Sequence, residues 1–384
     1  MFNLNKYRED HADLYEFAEK INECNEIELL DFFNTLEYNN YNTFYCILQM
    51  IAHFTKQRPI SFNRMTKFLL NISDEMKTNF SEEQISNAFK MSSQAVLDFL
   101  YDQKIVSKRM TEESTEDNQI YTSFYIQNLE ANFDDENEIE QEKEEKPNDE
   151  KEGYNSIRKV IQNDDIDSFQ NFISRTNENI NSNLQKSSQI LNTFEKQCQK
   201  YIEYAAFFGS LHIFKFLWLN NAVVTDNLFP LSIFGGDMEI IHLIESKINS
   251  DSNYSEKIES IMNKAATSAV FCFRHELLEY LCENYSITFE YAALYQSLIS
   301  FNLPDLLFMI ETNPMILNSY SDDLRETIFH NPNHFTQCDI IKFILSNYLY
   351  KKYGNSDFLD EKESEIVDFS VIEINVDSTD TVVL

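Results

Sequence analysis

Apolar residues recur in a fixed order along the second half of the chain. In HIFKFLWLN, residues 212–220, a polar residue precedes two apolar residues, a spacer and two more apolar residues. Five other segments repeat this order, the first of them more weakly: 167–175, 239–247, 276–284, 305–313 and 339–347. Apolar residues at these spacings form one broad stripe on a helix. The sequence therefore predicts six copies of a buried helix.

A second short apolar segment precedes four of these copies, at 201–208, 228–234, 265–273 and 292–301. Each such segment would form the first helix of a pair, with Gly209, Gly236 and Asn302 in the turns between the two helices. The copies start 27 to 45 residues apart, which is typical of a stack of helix pairs joined by uneven loops. We expect about five or six pairs.

The first third of the chain has helical periodicity without this repeat. Five segments carry apolar residues at three- and four-residue spacing: LYEFAEKINE, IELLDFFNTLE, TFYCILQMIAHF, FNRMTKFLLNI and QAVLDFLYDQ. Ser81 stands three residues before Gln84, the spacing of a helix capping box. Residues 120–129 and 364–376 alternate instead and are candidate strands or extended segments.

Glycine is rare in this sequence, with five residues in 384, against an average of about 7%. Phosphate-binding loops and many β-rich folds need glycine for turns and for close backbone approach. The five glycines cannot form a dinucleotide-binding or P-loop motif. Together with only six prolines, this predicts an all-α fold.

The chain has a net charge of −33, and the distribution of its acidic residues suggests four regions. Two segments each hold −8: an acidic linker at 134–152 and an acidic, flexible tail within 353–384. The linker would separate a helical N-terminal region, 1–133, from a repeat array at 153–352. Such charge repels nucleic acid and anionic lipid, so we expect neither as a partner.

The cysteines and the N-terminus predict a cytoplasmic protein. The six cysteines form no C-x-x-C motif, which in a chain of this length favours reduced, mostly buried thiols. The N-terminus lacks the apolar core of a signal peptide, and no stretch approaches 18 uninterrupted apolar residues. We therefore expect no membrane association.

Residues 205–224, AAFFGSLHIFKFLWLNNAVV, resemble the core of an ankyrin repeat. Ala205 and Ala206 match its paired alanines, and Gly209 matches its inter-helix glycine. The chain looks most like divergent ankyrin-like proteins of protists, in which a helical region of unknown function precedes the repeats. The resemblance implies a helical solenoid that binds other proteins and has no shared catalytic residues. The Thr-Pro-Leu-His start of that repeat is absent.

The sequence offers no candidate catalytic, cofactor-binding or metal-binding residues. His330, His334 and Cys338 have the spacing of metal ligands on a helix, but Pro332 lies between the histidines and no fourth ligand is near. No G-x-S-x-G motif is present, and basic residues form no stripe with aromatic residues. We expect neither an enzyme nor a small-molecule substrate.

A row of aromatic residues is the strongest candidate for a binding site. Ankyrin repeats usually have exposed polar residues just before the inter-helix turn, where this chain has Phe207 and Phe208. In the following copies we align these positions with Phe234 and Gly235, with Phe271 and Cys272, and with Ser300 and Phe301. An exposed row of Phe207, Phe208, Phe234, Phe271 and Phe301 would bind a protein, because aromatic residues dominate interface hot spots. The alternative is that these rings pack inside the protein.

The main functional hypothesis is therefore a scaffold that binds a protein partner through a concave inner-helix face and its loops. One alternative is an enzyme or enzyme subunit with a site at the junction of the N-terminal region and the repeats, near His53. A purely apolar junction would exclude that alternative. Another is that the acidic segments bind basic proteins, which salt would weaken.

Overall fold

The apolar periods of the sequence become helices throughout the part of the chain that the structure describes. The structure is a computed structural model, and it describes residues 8–9, 11–36, 41–90, 92–110, 157–184, 197–313 and 315–319. Within these residues the elements are α-helices and short 3-10 helices, with one isolated antiparallel bridge, between Asn183 and Lys200, and no strand. The predicted all-α class is confirmed.

The described part of the N-terminal module, residues 8–110 with short gaps, contains the helices α1 (Ala12–Glu23), α2 (Glu26–Thr35), α3 (Tyr41–Gln57), α4 (Phe62–Asn71), α5 (Ser73–Asn79), α6 (Glu82–Phe89) and α7 (Gln94–Asp102). Their core is aromatic: the Phe33 ring packs edge-on against Phe44 and Phe68, with centroids 5.3 and 5.4 Å away. The predicted capping box begins α6, because Ser81 and Gln84 each accept the other's backbone N–H.

Helix pairs follow. The first consists of helical residues 157–162 and α8 (Ile166–Thr176). The others are α9 (Tyr201–Phe208) with α10 (Leu211–Leu219), α11 (Leu228–Gly235) with α12 (Met238–Ser250), α13 (Ile258–Phe271) with α14 (His275–Asn284), and α15 (Tyr291–Ile299) with α16 (Leu303–Thr312). Five of the six predicted copies lie in the second helices of these pairs. The sixth, 339–347, lies outside the described residues.

Each pair turns on one residue with a left-handed backbone. These residues are Asp164, Gly209, Gly236, Phe273 and Phe301, whose φ angles lie between 52° and 70°. In four of the turns the following backbone N–H bonds the carbonyl five residues earlier, for example Ser210 to Ala205 at 2.8 Å. This bond satisfies a carbonyl that the helix end would leave open. Asn302 lies in its turn as predicted, but the left-handed residue is Phe301 before it, and the side chain of Asn302 caps α16.

Side chains that follow the turns join successive pairs. Ser210 Oγ donates to Ile161 O (2.5 Å), Arg274 Nη2 to Gly235 O (3.1 Å), and Asn302 Nδ2 to Val270 O (2.9 Å). Each acceptor is a carbonyl at the end of the preceding pair's first helix. These three bonds run along the stack and link three of its pairs, those that contain α10, α14 and α16, to the pair before each.

The first helices form an inner layer and the second helices an outer layer. In the inner layer α9 packs on α11, α11 on α13, and α13 on α15. All eight residues of α9 are buried, as are the first seven of α11. The outer helices alternate buried and exposed positions, as their predicted stripe requires. Stability of such a stack comes from burial between neighbouring pairs.

The N-terminal module packs on the last pairs of the stack, through α1 against α16. Residues 1–313 form one compact unit. The remainder, 314–384, forms a second unit, of which α17 (Ile316–Ser319) is described. The acidic linker 134–152, the tail 353–384 and the candidate strands at 120–129 and 364–376 lie outside the described residues.

Candidate functional site

The expected row of exposed phenylalanines is not found. The side chains of Phe207, Phe208, Phe234, Phe271 and Phe301 are all buried, with 0–6% of their surface exposed. The Phe207 ring contacts Phe208 and Phe234, with centroids 5.1 and 5.2 Å away. The expectation of exposure is therefore wrong. The inner layer of this stack is buried, so residues on it pack instead of facing solvent.

The alignment of the last copy also changes. Phe301 is the left-handed turn residue, equivalent to Gly209 and Phe273, so Ile299 and Ser300 stand in the positions of Phe207 and Phe208. Gly235 takes the second position in its copy because a side chain would not fit. A Cβ atom there would lie 2.2 Å from Ala206 O and 2.6 Å from Gly209 N.

The junction between the N-terminal module and the stack brings polar and charged side chains together. The ring of Phe54, from α3, packs edge-on against Phe273 at 5.5 Å. His275 Nε2 lies 3.2 Å from Ala18 O, a backbone carbonyl of α1. Residues 257 positions apart in the chain are thus joined directly. The junction is not purely apolar, so the condition that would have excluded a site here is not met.

His275 and Asp305 form an ion pair at this junction. His275 Nδ1 lies 2.7 Å from Asp305 Oδ1, and Asn302 Nδ2 donates to the other carboxylate oxygen at 2.7 Å. Burial lowers the pKa of His275, but the Asp305 carboxylate, its hydrogen bond and the Ala18 carbonyl outweigh burial and raise that pKa to about 9. The imidazole is therefore protonated at neutral pH, with both ring nitrogens donating.

Three arginines converge on the same junction. Arg64 donates to the carbonyls of Ile21 and Cys24, at the C-terminal end of α1, and Arg58 Nη1 donates to the Asn22 side chain. The Arg58 and Arg64 guanidinium groups lie 5.6 and 5.8 Å from the centre of the Phe54 ring. These partners are all uncharged, as is the Gly235 carbonyl that Arg274 bonds, so these hydrogen bonds do not neutralise the three positive charges.

Arg274 reaches the cluster from the turn between α13 and α14. Its guanidinium donates to Gly235 O and lies against Gly236, where a Cβ atom would be 1.8 Å from Nη2. Burial, and then the charge of Arg274, lower the pKa of Arg58 to about 9. Burial raises the pKa of the neighbouring Cys272 thiol to about 12, although Arg58 and Arg274 oppose this. Cys272 is therefore a neutral thiol.

Sequence reasoning missed the arginine cluster, although one signal was present. Only eight of the 31 basic residues are arginine, and three of those eight meet at the junction. In a lysine-rich chain, an arginine marks a position that needs a planar guanidinium with fixed donors. Arg58 and Arg64 are six positions apart, but Arg274 follows them by more than two hundred, so only the fold reveals that the three form one group.

A second candidate surface lies where the outer helix α10 ends and the loop after it begins. Leu219 and Val223 have 79% and 52% of their surface exposed, beside Trp218, which is half-buried and stacks on Phe214. The loop is held at both sides: Val223 N donates to Asn181 Oδ1 (2.8 Å), and Tyr254 Oη donates to Val224 O (2.9 Å). We call this group, Trp218, Leu219 and Val223, the loop-edge patch.

Comparison of the chain with protein-family models, curated proteins and solved structures found no match. Among the described residues, no group of three or more His, Cys, Asp and Glu side chains is arranged to hold a metal ion. Within the same residues, no helix has the length and apolar character needed to cross a membrane. His330, His334 and Cys338 lie outside them.

Proposed function

We propose that this protein is a non-enzymatic, cytoplasmic scaffold whose ankyrin-like stack of helix pairs binds a protein partner. The loop-edge patch is the observation that carries the proposal. It replaces the inner-face phenylalanines as the binding surface, because those rings are buried. The loops were part of the surface that the ankyrin resemblance implied.

The chemistry of the patch suits a protein partner. Leu219 presents most of its side chain to solvent in a chain of net charge −33, next to the only tryptophan. Large apolar and aromatic side chains that can be desolvated together are the usual anchors of protein interfaces. Hydrogen bonds from Val223 and to Val224 hold the loop in place, so little ordering would oppose binding.

Two junction groups, the Cys272 thiol and the His275 imidazole, are of types that enzymes use but are poorly suited to catalysis. A nucleophilic cysteine needs a lowered pKa, whereas the pKa of Cys272 is raised to about 12 by burial. A general base needs a free nitrogen, whereas both nitrogens of His275 are engaged by Asp305 and Ala18. These groups favour a structural or binding role at the junction over catalysis.

The proposal is tested by capturing partners from the source cell's lysate with the full-length protein. Wild type would be compared with a variant carrying Leu219→Asp and Val223→Asp. The matched control is Ile27→Asp, because Ile27 is also apolar and 70% exposed but lies in the N-terminal module. Circular dichroism would first establish that each variant is folded.

We expect the wild type and Ile27→Asp to capture the same protein and the loop-edge variant to lose it. Purified partner would then bind the loop-edge variant at least ~10-fold more weakly, since a charge placed at a hot spot removes two desolvated anchors. If the folded loop-edge variant captures the same proteins as the wild type, the loop-edge patch is not the binding surface.

A further inference from the structure

We propose that the junction between the N-terminal module and the helix-pair stack binds a small anion of the phosphate class. The oxyanion would lie between the guanidinium groups of Arg58 and Arg274, with Arg64 at its rim. This site is separate from the loop-edge patch and would hold a ligand, not a substrate. It therefore stands or falls independently of the proposed scaffold function.

The first reason is an excess of buried positive charge. Arg58 has 8% of its surface exposed, and its Nη1 atom donates a hydrogen bond to the side-chain amide oxygen of Asn22. Arg64 and Arg274 bond backbone carbonyls. No carboxylate accepts a hydrogen bond from these three arginines within the described residues. Burying a charge without a counter-charge is costly, so a neutralising anion is expected to bind there.

The second reason is that no neighbouring group supplies the missing negative charge. Cys272, the nearest acidic group in the core of the cluster, remains a neutral thiol because burial raises its pKa to about 12. Asp305 is already paired with protonated His275 at 2.7 Å. Glu23 acts on Arg274 electrostatically but is itself exposed to solvent. Among the described residues no unpaired negative charge remains for these arginines, and we assign that role to an external anion.

The third reason is the presence of open donors. The Nε atoms of Arg58 and Arg274 are buried and have no hydrogen-bond acceptor among the described residues. Buried arginine donors normally find an acceptor, and an oxyanion meets guanidinium groups with paired, charge-assisted hydrogen bonds. Phosphate fits best because its two charges and several oxygens can satisfy two guanidinium groups at once.

The site is also reachable. Arg58 is the most buried member, whereas Arg64 and Arg274 each keep part of their surface exposed. An anion would therefore reach the cluster from the solvent side of Arg64 and Arg274. Because Arg58 and Arg64 belong to the N-terminal module and Arg274 to the stack, the bound anion would hold the two parts together.

The test is thermal unfolding of the full-length protein in inorganic phosphate and in sodium chloride at the same pH and ionic strength. A ligand that binds only the folded state raises the unfolding midpoint, here by about 2 °C or more at ~10 times its dissociation constant. Each variant would be compared with itself in chloride. The variants are Arg58→Met and Arg274→Met, and the control is Arg109→Met, which removes an exposed arginine paired with Asp98.

We expect phosphate to raise the midpoint of the wild type and of Arg109→Met. The two junction variants should lose that rise, with phosphate affinity lower by at least ~10-fold. Equal responses in all four proteins would place phosphate elsewhere and overturn the proposal. Equilibrium dialysis of wild type with labelled phosphate needs no variant: we expect one site per chain, and no binding above the chloride background would also overturn it.

Discussion

At the scale of single residues, two adjacent glycines meet different obstacles. Gly235 lies against the backbone of Ala206 and Gly209, whereas Gly236 lies against the Arg274 guanidinium. Both glycines allow neighbouring atoms to approach the backbone closely. The obstacle at Gly236 is a side chain and can be removed by mutating Arg274, whereas the obstacle at Gly235 is backbone and cannot. The glycines thus hold the turns at which one helix pair meets the next.

We predict that Gly235→Ala and Gly236→Ala each lower the free energy of unfolding by about 1–3 kcal/mol, because each adds atoms to a filled space. Arg274→Ala should partly restore the stability of Gly236→Ala by removing the atoms it strikes. Arg274→Ala should not restore the stability of Gly235→Ala, because the added methyl group there meets backbone atoms. Urea unfolding of the single and double variants measures this. Equal effects of Arg274→Ala in both backgrounds would contradict it.

The His275–Asp305 pair should make the free energy of unfolding decrease as the pH rises into the alkaline range. The pKa of His275 is about 9 in the folded protein, above its ordinary value of 6.5. Its contribution is therefore complete below about pH 6.5 and is lost as the pH rises through about 9. We expect the stability difference between the wild type and His275→Gln to fall by on the order of 2–3 kcal/mol over this range.

Urea unfolding of both proteins between pH 6 and 10 measures this difference, because other titrating groups are common to the two and cancel. His212→Gln is the control, since the His212 side chain is exposed and its partner, Asp164, lies in the first turn of the stack. A difference between the wild type and His275→Gln that stays constant with pH would show that this pair does not titrate as described.

At the scale of elements, the bonds that follow the turns decide how helix pairs stack. Asn302 caps α16, bonds Val270 O in the preceding pair and supports the Asp305 carboxylate, all from a fully buried position. Asn25 caps α2 from an exposed position and makes only local bonds. Comparing substitutions at the two residues therefore separates the free energy lost with a helix cap from that lost with the hydrogen bond between helix pairs.

We predict that Asn302→Ala lowers the free energy of unfolding by about 2–4 kcal/mol, because it removes a cap and leaves buried groups without partners. Asn25→Ala should cost about 1 kcal/mol, as a cap alone does. Chemical denaturation compares them. If the two substitutions lower the free energy of unfolding equally, Asn302 acts only as a helix cap, and its hydrogen bond to Val270 O does not stabilise the contact between pairs.

The helices could be predicted from the sequence because their apolar periods are local. The segments around 201–208 and 212–220 form α9 and α10 within a residue of their predicted bounds. The turns at Phe273 and Phe301 were not predicted, since a bulky residue rarely adopts a left-handed backbone. Both rings are fully buried, and that burial offsets the strain.

The candidate sites were less predictable because they depend on distant contacts. Burial of Phe207 and Phe208 depends on what covers the inner layer, which repeat spacing does not reveal. The arginine cluster needs Arg58 and Arg274, more than two hundred positions apart in the chain. The loop-edge patch could have been predicted, since Leu219 lies outside the apolar stripe predicted for its helix and Val223 follows that helix.

At the scale of the whole molecule, the N-terminal module and the helix-pair stack are held together by one junction. Phe54 is the central apolar contact: its ring packs on Phe273 and lies beneath Arg58 and Arg64. A buried phenylalanine replaced by alanine typically costs about 3–5 kcal/mol. If the two parts are joined through this contact, the substitution must destabilise both the N-terminal module and the stack.

Hydrogen exchange of the full-length protein, read by mass spectrometry, tests this most directly. We predict that Phe54→Ala speeds exchange in residues 41–90 and also in residues 258–284 of the stack. The control is Phe80→Ala, whose ring packs on Phe44 and Tyr45 inside the N-terminal module, and whose effect should stay within 41–90. If Phe54→Ala leaves exchange in 258–284 unchanged, the two parts are not joined as described.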